Sequence, residues 1–192
     1  MPARFYVRLT RTVEQTRCPP RTNSFAGASG VTECRRGFLM KVYNTSSLGR
    51  FRTMPDVTPL PLIGSAFIST IDFPLTHGAD TFSARVPRTP RNLFAATWEG
   101  LFPVTAPGLY SFCTNSDDGS TLSIDGSRVV DNGGVHSATT VCSPGAFLAA
   151  GAHSLYADYF QSFIQTTMQV GSRLRWPAHA RVMTVFVRLP QR

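Results

Sequence analysis

Apolar and polar positions alternate along this chain in short runs separated by Gly, Pro, Asp and Asn. Residues 94–102, 109–114, 120–124 and 153–160 follow the alternation most clearly, with Leu155, Ala157 and Tyr159 on one side of the last run. A period of two marks a strand with one buried face. Shorter strands are predicted at 37–43, 128–130, 146–148 and 166–170, with a further piece at Val141. Pro107-Gly108, residues 116–119, Asp125-Gly126 and Ala150-Gly151 read as turns. Asp125-Gly126 is a two-residue pair that favours positive φ and so suits a hairpin. Strands spaced roughly ten residues apart with turn signals between them predict an all-β, antiparallel sandwich or barrel. No helix-period stretch competes, and no internal repeat is present.

Residues 44–90 contain Pro55, Pro59, Pro61, Pro74, Pro87 and Pro90. Proline cannot donate to a ladder, so irregular surface crossings and short edge strands are expected there. The organisation predicted is an Arg-rich N-terminal arm over 1–36, with one strand at 5–9, a β domain over 37–170, and a basic tail over 171–192.

The net charge of +8 is unevenly placed. Residues 1–52 carry +8, residues 53–170 carry −5 and residues 171–192 carry +5. Basic ends attract acidic partners over long range. No recognised nucleic-acid-binding motif accompanies the arginines, so docking on a neighbouring protein surface is expected rather than nucleic acid. No apolar run approaches the ~18 residues of a membrane span. The first twelve residues carry Arg4, Arg8 and Arg11, which interrupt any apolar core of a secretory signal.

The four cysteines are Cys18, Cys34, Cys113 and Cys142, without the Cys-x-x-Cys spacing of a zinc site. Cys113 and Cys142 lie on segments that suit neighbouring strands. A bridge between them stabilises by roughly 3–4 kcal/mol in the chain-entropy model. Cys18 and Cys34 are the second expected pair. The alternative is four reduced thiols, and the redox compartment decides between the two.

One run holds the candidate chemistry: Ser116-Asp117-Asp118-Gly119, then Leu122-Ser123-Ile124-Asp125-Gly126. Adjacent carboxylates at a turn suit a hard cation, and they are also ordinary turn residues. The setting is specific. Trp98-Glu99-Gly100-Leu101-Phe102 and Pro107-Gly108-Leu109-Tyr110-Ser111-Phe112 precede the run, and Gly151-Ala152-His153-Ser154-Leu155 and Tyr159-Phe160-Gln161 follow it. This order resembles the protective antigen 14 (PA14) domain family, most closely over 92–170 and more loosely over 37–86. The family comprises β-barrel or sandwich modules of anthrax toxin, yeast flocculins and adhesins, bacterial adhesins and some glycosidases.

In lectin-like members the adjacent aspartates are joined by a cis peptide and hold Ca²⁺, which binds sugar hydroxyls. The resemblance maps those aspartates to Asp117 and Asp118, with Gln161 as the third ligand, and Ser116, Gln165 and Asn132 as weaker candidates. Phe163, Ile164 and Gln165 fall on the facing loop, where Phe163 and Ile164 suit either a sugar face or a protein contact. Trp98 is expected in the core, and Asp125 as a turn residue. No Gly-x-Ser-x-Gly elbow is present, and adjacent carboxylates do not flank a glycosidic bond as a hydrolase requires. The expectation is a non-catalytic, calcium-dependent carbohydrate-binding or adhesion module, extracellular or on the cell surface. The alternative is a structural subunit of a larger extracellular, ciliary or cell-surface assembly, docked to neighbouring subunits through its basic ends. An accessory domain of a carbohydrate enzyme is a third option and needs a catalytic partner.

Overall fold

A computed structural model describes residues 5–7, 15–17 and 37–175. The first two segments, β1 (Phe5–Val7) and β2 (Gln15–Arg17), pair antiparallel. The strand expected over 5–9 is seen over Phe5–Val7, residues 8 and 9 lying outside the described residues, and it has a partner the sequence reading lacked. Two antiparallel sheets make up the rest. A six-stranded sheet runs β4-β3-β6-β12-β8-β9: Leu62–Ile68, Phe38–Asn44, Phe94–Val104, Gly151–Gln161, Ser120–Ile124 and Ser127–Asn132. A second sheet runs β10-β7-β13-β5: Thr139–Cys142, Gly108–Asp117, Gln165–Arg175 and Asp72–His77. The short β11 (Ala146–Leu148) also pairs with β7. Of the expected sandwich or barrel, the sandwich is the architecture found.

The inner faces are those the alternation marks. Phe94, Ala96, Trp98 and Phe102 of β6 and Leu155, Ala157 and Tyr159 of β12 are buried, as is Phe112 of β7 on the opposing sheet. The helical turn α1 (Asp80–Ser83), absent from the sequence reading, brings Phe82 into this core. Phe82 stacks on Phe73 at 4.3 Å and on Tyr159 at 5.3 Å between ring centroids. Burying each such side chain fully is worth about 1.5–3 kcal/mol. Trp98 is wholly buried among these rings and makes no surface for sugar. The Pro-rich segment supplies β4 and β5, both at sheet edges as expected.

Two readings change. Residues 116–119 do not form a hairpin turn: β7 and β8 belong to different sheets, so the segment crosses the sandwich. Gly119 permits the crossing, because a Cβ there would stand 2.5 Å from Phe160 Cε1 and 2.7 Å from the Gly134 carbonyl oxygen. The last strand also continues past Val170. Residues 171–175 pair with residues 109–113, because the long β7 supplies ladder partners throughout.

Asp125 holds φ of 50° in the β8–β9 turn. Its carboxylate reaches His153 Nδ1 at 2.6 Å and the Ser154 N–H at 2.8 Å, while His153 Nε2 faces the Ala149 carbonyl at 2.9 Å. Burial alone would raise the Asp125 carboxyl, but the His153 and Ser154 hydrogen bonds and the His153 charge hold it below its ordinary value. Burial alone would lower His153, but the bonds to Asp125 and Ala149 and the Asp125 charge raise it.

Candidate functional site

The strand order fixes where the aspartates lie. β7 to β8, β9 to β10, and β12 to β13 all change sheets at the same end of the sandwich. Asp117 ends β7, and a cis peptide bond joins it to Asp118. Both residues are buried, at 5% and 1% exposure. That end of the sandwich opens in a depression of about 440 Å³, lined by Asp117, Asp118, His136, Phe163, Ile164 and Gln165 among others.

The neighbouring loops bind the two carboxyl groups through main-chain donors. The Ser162 N–H donates to Asp118 Oδ2 at 2.8 Å, and the N–H groups of Phe163 and His136 also donate to the Asp118 carboxyl. The Ala138 N–H donates to the Asp117 carboxyl. The loops at 133–138 and 162–164 are thus held to one pair of residues.

The electrostatics are unfavourable to two ionised carboxylates. Burial raises Asp117 to about 6, and the charge of Asp118 pushes it the same way, against the Ala138 N–H and the His136 charge. Burial also raises Asp118, against its main-chain donors and His136. Among the described residues, neither aspartate forms an ion pair with Lys or Arg. Two adjacent, desolvated carboxylates without a Lys or Arg partner among the described residues form a charge distribution that a hard cation satisfies. The residues fit such an ion in this respect. Each carboxylate keeps lone pairs beyond those its N–H donors use.

Gln161 stands differently from the sequence reading. It is the last residue of β12, not a loop residue, and is fully buried. Its Oε1 faces the Tyr159 hydroxyl at 2.6 Å, and its Nε2 donates to the carbonyls of Phe163 and Gln165, the latter at 2.8 Å. Gln161 thereby braces the 162–165 loop. The Tyr159 hydroxyl also lies 2.5 Å from the Asp117 carbonyl, so one hydroxyl hydrogen serves two acceptors. Burial and the charges of Asp118 and Asp117 push the Tyr159 hydroxyl well above its ordinary value, keeping it a donor. Asn132 and Ser116 are also braces. Asn132 Nδ2 donates to Ser116 Oγ at 3.0 Å and to the Thr139 carbonyl at 2.9 Å.

Phe163 and Gln165 line the depression. Three residues the sequence reading missed support this loop. The Arg50 guanidinium sits 5.0 Å over the Phe163 ring. The Phe51 N–H donates to Ser162 Oγ at 3.2 Å, and Ser162 Oγ donates to the Phe51 carbonyl at 3.0 Å. Asn92, oriented with its nitrogen toward carbonyls, donates to Phe163 O and to Arg91 O. His136 also stands at this corner. Its ring nitrogens face the Ser137 and Asn132 carbonyls at 3.0 and 3.1 Å, beside the aspartates. A disulfide joins Cys113 to Cys142, register partners on β7 and β10, and fixes the strand that leaves the 133–138 loop. The expected Cys18–Cys34 pair lies outside the described residues.

The PA14 domain model matches residues 76–176. The chain belongs to the PA14 domain family. No curated protein matches it. Among solved structures, this PA14 domain is similar to the PA14 domain of the antifreeze protein MpAFP, with a TM-score of 0.65 and 13% identity over 77% of this chain and 86% of that one. It is also similar to the PA14 sugar-binding domain of an RTX adhesin, with a TM-score of 0.59 and 18% identity over 78% of this chain and 94% of that one. A third is the Epithelial Adhesin 6 A domain of Candida glabrata, solved with Galb1-3GlcNAc, with a TM-score of 0.56 and 11% identity over 78% and 83% of the two chains. At these identities the likeness is one of fold. The depression of this PA14 domain has an apolar rim, where Ile164 is 69% exposed.

Proposed function

We propose that this PA14 domain is a non-catalytic binding module whose site is the Asp117–Asp118 corner, and that it binds a glycan through Ca²⁺. The observation that carries this reading is the pair of adjacent buried carboxylates, without a Lys or Arg partner among the described residues, at the floor of an open depression. Ca²⁺ takes six to eight oxygens, and carboxylates supply most of the attraction. Asp117 and Asp118 would hold it, and the ion's chemistry is to accept vicinal hydroxyl oxygens. Gln161 and Tyr159 act as braces of the loop. Phe163 and Ile164 would lie against the sugar ring. Two similar domains are described by their sugar ligands, which supports the choice of glycan. An oxidising compartment, extracellular or at the cell surface, agrees with the Cys113–Cys142 bridge.

Calorimetric titration of Ca²⁺ tests the reading, followed by a glycan array with and without chelator. Calcium binding should be saturable and lost on replacing Asp117→Asn with Asp118→Asn. The absence of binding at millimolar calcium removes the proposal. A second reading, docking of this face on a neighbouring protein subunit in a larger assembly, rests on the exposed Ile164 beside Val135. Ile164→Asp should then abolish co-assembly while leaving calcium binding intact.

A further inference from the structure

The four-stranded sheet is incomplete along one side of β13. β7 pairs with β13 from Thr167 to Arg175, whereas β5 pairs with it only from Gln165 to Gln169. The Val170 N–H still reaches the Ile71 carbonyl at 3.0 Å. Beyond it, residues 171–175 have β7 on one side and, among the described residues, no strand on the other. Antiparallel neighbours alternate between hydrogen-bonded and non-hydrogen-bonded pairs. Val170 turns its N–H away from β7, so Ser172 and Leu174 turn theirs the same way. The opposite strand agrees. Phe112, the register partner of Ser172, instead donates its N–H to Ser143 Oγ at 2.9 Å and accepts the Ser143 N–H at 2.7 Å. Ser172 and Leu174 therefore present main-chain N–H and carbonyl groups that no described residue bonds.

A cavity of about 560 Å³ lies along this edge, lined by Gly171 and Ser172 of β13, Thr70 and Ile71 before β5, and Phe38 and Phe102 of the other sheet. Its opening is partly polar, as an unpaired strand edge is. The open edge has room for one short strand, about 17 Å long.

We propose that the chain's own segment 181–189 fills this edge, antiparallel to residues 171–175. The segment lies outside the described residues and reads Arg181-Val182-Met183-Thr184-Val185-Phe186-Val187-Arg188-Leu189. β-branched and aromatic types dominate it, which suits a strand. Its two alternate faces, Val182-Thr184-Phe186 and Met183-Val185-Val187, both carry apolar side chains for the gap. β13 ends at Arg175, so the tether starts at the lip of the edge. Residues 176–180 supply the reversal, within the roughly two to five residues of hairpin loops. Pro177, which has no N–H for a ladder, falls in that reversal. So short a tether gives a millimolar effective concentration, above that of a second copy in micromolar solution. The pairing is independent of the calcium reading.

Amide hydrogen exchange on the full chain, read by NMR, tests this. Ser172 and Leu174 should be protected, with cross-strand NOEs to residues 181–189, at concentrations where the chain sediments as a monomer. Val185→Pro with Phe186→Pro removes a donor from each side of the inserted strand, whichever register it takes. Exchange at Ser172 and Leu174 should then quicken about ten-fold while Ala157, in the central β12, keeps its protection. Fast exchange at Ser172 and Leu174 in the parent overturns the proposal, as does protection that the two prolines leave unchanged. NOEs from this edge to any other segment, or protection that appears only as the chain dimerises, overturn it as well.

Discussion

The Ser162 main-chain N–H donates to Asp118 Oδ2 at 2.8 Å and so joins the β12–β13 crossover to the β7–β8 crossover. The two segments are 44 residues apart in sequence and belong to different sheet changes. The candidate site is therefore a product of topology: strands must change sheets somewhere, and here the corners meet on one carboxylate.

That contact separates the structural role of Asp118 from its charge. Asp118→Ala leaves the buried Ser162 N–H without its acceptor, and should destabilise the domain by about 1–3 kcal/mol. Asp118→Asn keeps an acceptor and removes the buried charge. Its metal-free stability should equal or exceed that of the parent, while its response to calcium is lost. Urea denaturation with and without calcium distinguishes the two variants.

The raised carboxyls give the metal-free domain a distinctive pH profile. A folded carboxyl at about 6 keeps its proton where the unfolded one, near 3.8, has released it. The folded state then binds more protons, and stability falls as pH rises between those values. Asp118, also raised, acts in the same direction. Calcium favours the ionised form, so millimolar calcium should oppose the fall. Thermal melts across pH, in chelator and in calcium, should show the descending limb only in chelator. Asp117→Asn with Asp118→Asn should flatten it.

Gly119 has no room for a side chain. Its Cβ would meet the Phe160 ring at 2.5 Å and the Gly134 backbone at 2.7 Å, and only the ring is able to move. Gly119→Ala should cost about 1–3 kcal/mol in chemical denaturation, in the range of overpacked cores. It should also weaken calcium binding, because it displaces the residue after Asp118.

The strands and the core were legible because a buried face imposes period two, as at Leu155, Ala157 and Tyr159. The crossover at Asp118-Gly119 was not, because a sheet change and a hairpin use the same turn residues. Pairing partners decide between them, and these are distant in sequence. The same limit hid Gln161: its type suits a metal ligand, but its neighbours Tyr159, Phe163 and Gln165 consume its amide. Asn92 and Arg50 gave no local signal, since their role depends on where Phe163 lies.

The bridge between Cys113 and Cys142 spans 29 residues, which include the 133–138 loop. Cys113→Ala with Cys142→Ala should cost roughly 3–4 kcal/mol in the chain-entropy model. Equilibrium denaturation measures the loss. Hydrogen exchange at Ala138, the donor to Asp117, should accelerate more than exchange at Ala157 in the central β12.

The His153–Asp125 pair braces the far end of the sandwich and has its own pH window. Asp125 is held below its ordinary 3.8, so its contribution is present above that value and is lost as pH falls through the lowered one. His153 is raised above its ordinary 6.5, so its contribution is present below that value and is lost as pH rises through the raised one. Between 3.8 and 6.5 both are present. Asp125→Asn is the informative variant. Asn tolerates the positive φ and retains an acceptor for the Ser154 N–H, but carries no charge for His153. It should lower stability most near pH 6, where both contributions are present, and least once pH has risen through the raised His153 value. His153 Cε1–H chemical shifts should show the titration moving downward in the variant. An unchanged midpoint would mean that the Ala149 carbonyl alone holds the ring.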